Sequence, residues 1–373
     1  MKTEQLIWTA ESGWNGQQAQ LAESQLVLCF IGIDLKKQED LFDSLKGHYP
    51  NADIIFCSTA GEIAGDQILD QSAVCTAIHF EKTKIKIHRQ TIRHTDDSFQ
   101  SGEMLAKAML DEGLKSILIL SEGTIANGDF LIQGVNSIVP KGVLVTGGLA
   151  GDAGRFTQTF VGVNEVAQPG VIASIGFYGD NIQLSHGSQG GWSEFGPIRT
   201  VTSSEKNVLF TMDNVNALEL YKRYLGERAD ELPGAALLFP LCIIGDDGSM
   251  LVRTILNIDE EHGSMTFAGN IPNGAKVQFM MANFDHIIEG AEDAAAQNDT
   301  LEKPDLALLI SCVGRRIVLG QRTEEELDAV IDRIGESTTY CGFYSNGEIS
   351  PIKDTVACAL HNQTMTITTF KEN

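Results

Sequence analysis

Apolar runs recur along this chain in a fixed order with helix-like stretches and with short corners where a glycine meets an acid. The first set is Leu26-Val27-Leu28-Cys29-Phe30-Ile31, a helical stretch around Asp40 to Leu45, and the strand and corner Phe56-Cys57-Ser58-Thr59-Ala60-Gly61-Glu62-Ile63. The second is Ile117-Leu118-Ile119-Leu120, a stretch from Phe130 to Val139, and Gly148-Leu149-Ala150-Gly151-Asp152-Ala153. The third is Leu306-Ala307-Leu308-Leu309-Ile310, a helix from Glu324 to Ile334, and Phe343-Tyr344-Ser345-Asn346-Gly347-Glu348-Ile349. After each corner an apolar strand leads over a polar turn to a shorter one. These pairs are Val74 to Phe80 with Ile85-Lys86-Ile87, Val171 to Phe177 with Ile182-Gln183-Leu184, and Val356 to His361 with Met365-Thr366-Ile367. Such self-similarity marks internal duplication. Each unit is predicted to run strand, helix, strand, corner, hairpin.

Between the units the pattern predicts further elements. Asp96 to Leu110 reads as a helix, with Met104, Leu105, Ala108 and Met109 on its apolar side. Phe156 to Val163 alternates and reads as a hairpin strand. Ala217 to Leu225 reads as a helix ending at Gly226, and strands follow at 235–244, 250–258, 265–268 and 276–281. Asn283 to Gln297 reads as a helix. Thr323-x-x-Glu326 has the form of a capping box, and Leu327, Val330, Ile331 and Ile334 share one face before Gly335. The fold class is mixed α/β, with duplicated βαβ-hairpin units and mixed sheets packed face to face under outer helices. Two such sheets are the preferred arrangement. The division is a polar arm over 1–25, held by Trp8 and Trp14, an N-terminal domain over 26–217, a C-terminal domain over 218–353, and a hairpin over 354–373 that completes the last repeat.

Charge narrows the partners. A net charge of −23 repels phosphate backbones and anionic lipid, which argues against nucleic-acid and membrane-surface partners. Seven cysteines, mostly inside apolar runs and without a Cys-x-x-Cys pair, look like reduced core thiols. With a polar N-terminus and no apolar run of membrane length, a cytoplasmic setting is expected. Association as a homodimer is left open.

Common catalytic and phosphate-binding motifs are absent. The corner acids Glu62, Asp152 and Glu348 either close their turns or line a shared cleft at the carboxyl ends of the strands. Arg315 follows an apolar strand, and Arg253 lies inside Leu251-Val252-Arg253-Thr254-Ile255. Each is a candidate anion clamp, and Arg253 is alternatively the ion-pair partner of a corner acid such as Glu348. His79 and His361 fall at matching repeat positions, which points to packing. His186 differs from the other histidines: it ends an apolar strand and opens His186-Gly187-Ser188-Gln189-Gly190-Gly191-Trp192. Glycines there admit close approach of a ligand, and Trp192 either covers a pocket or plugs the core.

Taken together, these corners, the His-Gly-x-x-Gly-Gly-Trp stretch, Cys312-Val313-Gly314-Arg315 and above all Cys341 to Pro351 resemble the FIST family over about residues 26 to 353. The resemblance implies a signal-input protein that binds a small ligand such as an amino acid, with a site drawn from Cys57, Glu62, Gly148, Asp152, Arg253, Arg315, Asn346 and Glu348. A free-standing bacterial branch of that family implies haem b, nitric oxide sensing and a partner such as a histidine kinase or a cyclic-di-GMP enzyme. The motifs themselves carry no haem ligand. From the residues alone, His186 is the candidate for the iron, with Trp192 beside it and Arg253 or Arg315 for the propionates. A haem-free amino-acid sensor using Arg315 and Glu348 is the alternative. An enzyme with Cys57 or Cys341 as nucleophile is the third reading, and neither thiol has a base close in sequence.

Overall fold

The computed structural model describes residues 1–15, 21–32, 38–352 and 357–373. The expected mixed α/β class holds, with helices outside, but the described residues form four sheets. Three of them belong to the three units. In each, the opening strand pairs in parallel with the strand after the helix: Leu26–Gly32 with Asp53–Thr59, Leu114–Ser121 with Leu144–Leu149, and Leu306–Cys312 with Thr339–Ser345. An antiparallel strand lies on its other side: Ala73–His79, Val171–Tyr178 and Met365–Glu372 respectively.

The apolar runs are unbroken because both faces of these strands are buried. Leu28, Phe30, Leu118, Leu120, Leu308, Ile310 and Phe343 point into one core shared by the three sheets. The alternate residues meet helices outside. Val27 and Ile31 meet Leu41 and Leu45 of helix Gln38–His48. Ile117 and Ile119 meet Leu105 and Leu131, from helices Ser98–Met109 and Gly128–Asn136. Ala307 and Leu309 meet Ala291 and Leu327, from helices Phe284–Ala296 and Thr323–Ile334.

The expected hairpins are corrected. Lys84–Thr91 does not fold back on Ala73–His79; it pairs with Val171–Tyr178 in the second unit's sheet. Ile182–Gln189 likewise crosses to Met365–Glu372 in the third. The N-terminal stretch, which the sequence leaves between an edge strand and a loosely held arm, forms strand Lys2–Thr9 and fills the same place beside Ala73–His79 in the first. The corners cross in the opposite sense. Glu62–Ala64 pairs with the third unit, Gly347–Pro351 with the second and Val161–Val163 with the first. The last of these is all that forms of the strand expected over 156–163. In the third unit, Met365–Glu372 is the counterpart of Ala73–His79, so His79 and His361 are not equivalent. Val356, assigned to the strand before it, lies outside the described residues.

Residues 193–281 build the fourth sheet between the second and third units, around Val201, Leu209, Tyr221, Phe267 and Phe279. The first residues of the stretch expected as a strand over 235–244 form a 3₁₀ turn, Gly234–Leu238, before strand Leu241–Ile244. The core of this sheet draws on residues before and after position 217.

Around the corners, Ala60 N donates to Tyr344 O, Asn346 N to Leu149 O and Gly151 N to Ser58 O. These bonds make Ala60, Asn346 and Gly151 equivalent. The second corner is therefore displaced by one residue, and Asp152 is not the counterpart of Glu62 and Glu348. A second trio of bonds, from Gly32 N to Ser72 O, Cys312 N to Thr364 O and Glu122 N to Val171 O, repeats the offset.

Glu62 and Glu348 are fully buried and do the same job. Glu62 accepts the Thr59 hydroxyl and both the N–H and hydroxyl of Ser72. Glu348 accepts the Ser345 hydroxyl at 2.7 Å and both groups of Thr364. Each carboxyl thus locks a corner to the strand that returns into its sheet. The second unit has Ala150, Ala153 and Val171 in these three places, and Asp152 instead accepts the N–H groups of Phe156, Thr157 and Gln158.

Burial pushes Glu62 and Glu348 up to about 7, against the pull of the Ser72 and Thr59 bonds at the first and the Ser345 and Thr364 bonds at the second. Below the ordinary carboxyl value of about 4.3 both folded and unfolded chains hold these protons; above it only the folded chain does. Their contribution to stability is therefore full in acid and is lost as pH rises through about 7. Glu62→Gln is expected to gain stability relative to wild type between pH 5 and pH 8, by up to about 3 kcal/mol. Urea denaturation at the two pH values measures the difference, and a difference that stays constant with pH contradicts it.

Candidate functional site

Strand Ile182–Gln189 ends at the edge of the third unit's sheet, and the chain turns through Gly190 and Gly191 into Ser193–Glu205 of the inserted sheet. The glycines have a packing reason. At Gly191, with φ +71°, an added Cβ would stand 1.9 Å from His286 O; at Gly187 it would stand 2.0 Å from Ala294 O. Without side chains there, helix Phe284–Ala296 lies directly on the strand.

A cavity of about 520 Å³ opens on the seam beside this turn. One wall is His186, Ser188, Gln189 and Trp192. The facing wall is Ser249, Met250, Val252 and Met280 of the inserted sheet, and Pro351, His361 and Thr364 of the third unit close it. The Trp192 ring is pinned by its Nε1, which donates to Gln363 O at 2.9 Å. No Asp, Glu, Lys or Arg lines the cavity among the described residues.

His186 and Trp192 are thus brought together as expected, and the remaining predicted site residues lie elsewhere. Cys57 sits in the shared core, where burial pushes its thiol far up, and Cys341 is raised to about 12 for the same reason. Neither is a thiolate nucleophile. Gly148 is a packing glycine, since a Cβ there would meet Ile310 Cγ2 at 2.7 Å. Glu62 and Glu348 are occupied by their locks and Asp152 by its loop. Asn346 is buried in the corner ring, with neither end of its amide partnered among the described residues.

The two arginines position the walls. Arg315 is completely buried: Nε donates to Glu326 Oε2 at 2.6 Å, Nη1 to Gly190 O at 2.5 Å and Nη2 to Ile287 O at 2.7 Å. One guanidinium so ties the glycine turn, helix Phe284–Ala296 and helix Thr323–Ile334. The capping box is corrected by the same contact. Arg322 is the N-cap, without a side-chain cap, and Glu326 turns inward to Arg315. Arg253 pairs with Asp129 at 2.7 Å, not with Glu348, and donates to Leu360 O at 2.8 Å. It rivets the inserted sheet to the second and third units.

His361 was passed over in sequence because its alignment with His79 hid it and nothing local marks it. Its Nε2 lies 3.0 Å from Ser350 O. Burial drives it down to about 4, with Ser350 pulling the other way and Arg253 and His186 adding to the fall. Burial also lowers His186. Both imidazoles are neutral at pH 7. Among the described residues no three His, Cys, Asp or Glu side chains gather as a metal ion would require.

Comparison with known proteins agrees with the class of this architecture. The FIST N domain matches residues 25–215 and the FIST C domain matches 217–351. The chain belongs to the FIST family, whose domains are signal-transduction sensor domains that bind small ligands. No curated protein matches it. Among solved structures, cyanuric acid hydrolase from A. caulinodans aligns over 100% of this chain and 99% of its own, at 7% identity and a TM-score of 0.38. So distant a superposition carries no argument about activity. No helix among the described residues is long and apolar enough to cross a membrane.

Removing one partner of the Arg315–Glu326 pair strands a buried charge. Arg315→Ala is expected to cost about 3–5 kcal/mol in urea denaturation, and the double change Arg315→Met with Glu326→Leu less than the single one. A double variant at least as unstable as Arg315→Ala would refute this account of the pair. Arg315→Lys is not expected to rescue, because an ammonium lacks the planar fork that serves Glu326, Gly190 and Ile287 together.

Proposed function

We propose that the small ligand is received in the seam cavity, between the three-unit body and the inserted sheet. The observation that carries this reading is that the two walls belong to different packed bodies: His186 and Trp192 on one side, Met250, Val252 and Met280 on the other. A ligand that touches both walls binds closed and open seams unequally, which is the requirement for passing on a signal. Arg253 joins the inserted sheet to the strand that carries His361, so a shift of the seam reaches helix Gly128–Asn136 through Asp129. The output is taken to be a signalling protein such as a histidine kinase or a cyclic-di-GMP enzyme. Seven free and buried cysteines fit the cytoplasmic setting in which such partners work.

The cavity favours neither charged ligand expected from the sequence. An amino acid would bring an ammonium and a carboxylate to walls that carry no charged side chain among the described residues, and the clamps assigned to it, Arg315 and Glu348, are buried and committed elsewhere. Haem b would find a neutral imidazole at His186 and apolar surface at Trp192, Met250 and Val252. Among the described residues its propionates would find no free cation at the cavity, because Arg253 and Arg315 are engaged with Asp129 and Glu326. The residues present do not fit haem b, and nitric oxide sensing through its iron is set aside with it.

Protein purified from haem-supplied cells is expected to be colourless. A stoichiometric Soret band that weakens in His186→Ala would restore the haem reading. Met250→Trp, which fills the cavity from the inserted sheet, is expected to abolish the thermal shift given by any ligand found in a screen. A shift that survives the substitution places the ligand elsewhere.

A further inference from the structure

We infer that the ligand is an uncharged planar heterocycle that lies on Trp192 and gives an N–H or O–H to Nδ1 of His361; this rests on the seam-cavity reading. The hydrogen bond at the far side of the imidazole decides the tautomer. A backbone carbonyl only accepts, so Nε2, 3.0 Å from Ser350 O, carries the hydrogen and Nδ1 presents a lone pair. His361 is only 7% exposed and lines the cavity, and its Nδ1 meets no protein donor among the described residues but stays open to water. A ligand that covers this acceptor without donating to it cuts it off from water, which is costly, and a ligand donor avoids that cost. Arg253 stands behind the same strand, bonded to Leu360 O, and its positive charge opposes protonation of the ring. His361 therefore stays an acceptor, and its preference is for ligands that donate.

Charge is selected by the same walls. Among the described residues, an ion entering this cavity meets no opposite charge to offset the water it loses. Anions are repelled further by a chain of net charge −23. Shape follows from Trp192, the one aromatic ring besides the imidazoles among the described lining residues, held in place by its Nε1 bond to Gln363 O. A volume of about 520 Å³ suits a ligand of one to three rings.

The test uses the full chain with Trp8→Phe and Trp14→Phe, so that fluorescence reports Trp192 alone. Four probes are titrated at pH 7.5: benzimidazole, neutral with one N–H; 1-methylbenzimidazole, the same ring without it; benzoate, an anion; and benzamidine, a cation. Benzimidazole is expected to quench Trp192 and to bind about tenfold tighter than its methyl analogue, the value of one satisfied buried acceptor. His361→Phe is expected to erase that ratio. Should that variant not fold, the ¹⁵N resonance of His361 Nδ1 in the parent protein is expected to move with benzimidazole and not with the methyl analogue. Equal affinity for the two benzimidazoles, or tighter binding of benzoate or benzamidine, overturns the ligand class and leaves the cavity reading standing. No quenching of Trp192 by any of the four overturns both.

Discussion

The guanidinium of Arg315 is the point at which the elements around the cavity are held. Fully buried itself, it meets Glu326 from one helix, Ile287 from another and Gly190 from the turn beside the cavity. A buried ion pair of this sort adds little net stability over a well-packed apolar pair, because both charges leave water to form it. What it supplies is direction. Glu326 also accepts from Ser311 and Tyr344, so the carboxylate is fixed before it fixes the arginine. Arg253 repeats the device between Asp129, Asn270 and Leu360. Each buried arginine has its own acid, and among the described residues the cavity between them carries no charged side chain.

Much of the fold was legible because its strands are buried on both faces and its helices on one. Ala217–Leu225 and Lys276–Met281 have the bounds that their patterns predict, and Asn283 caps helix Phe284–Ala296. Partnership was not legible. An apolar run shows that a strand is covered, not which strand covers it, so Lys84–Thr91 read as a hairpin arm when its partner lies in the next unit. Thr323 and Glu326 show local chemistry losing to distant chemistry: the spacing of a cap is present, but a buried guanidinium has first claim on the carboxylate. Asp129 is 124 positions from Arg253, beyond any local pattern. The glycine-rich run did lead to the cavity through His186 and Trp192, although its glycines serve helix packing. His361 carries no signal outside its surroundings.

The carboxyl locks show how duplicated units diverge. Thr59, Glu62 and Ser72 in the first unit match Ser345, Glu348 and Thr364 in the third. The second has replaced all three with Ala150, Ala153 and Val171. A partial replacement would leave a buried carboxyl without donors, or buried hydroxyls without an acceptor, and either costs more than an apolar trio. The unit that lost its lock is also the one whose corner has slipped by a residue, and whose loop is organised by Asp152 instead.

The exchange of strands has a consequence for how the chain reaches this state. Pairings such as Ile182–Gln189 with Met365–Glu372, or Glu62–Ala64 with Thr339–Ser345, join positions far apart in sequence. Contacts of that kind close large loops before they reward the chain, so assembly is slow, and the intermediates carry bare sheet edges open to foreign strands. A single repeat cut from the whole would keep its helix and its central ladder but lose both flanking strands to absent neighbours. Cooperativity then spans the ring of repeats, and the natural unit of expression, and of any truncation study, is all three together.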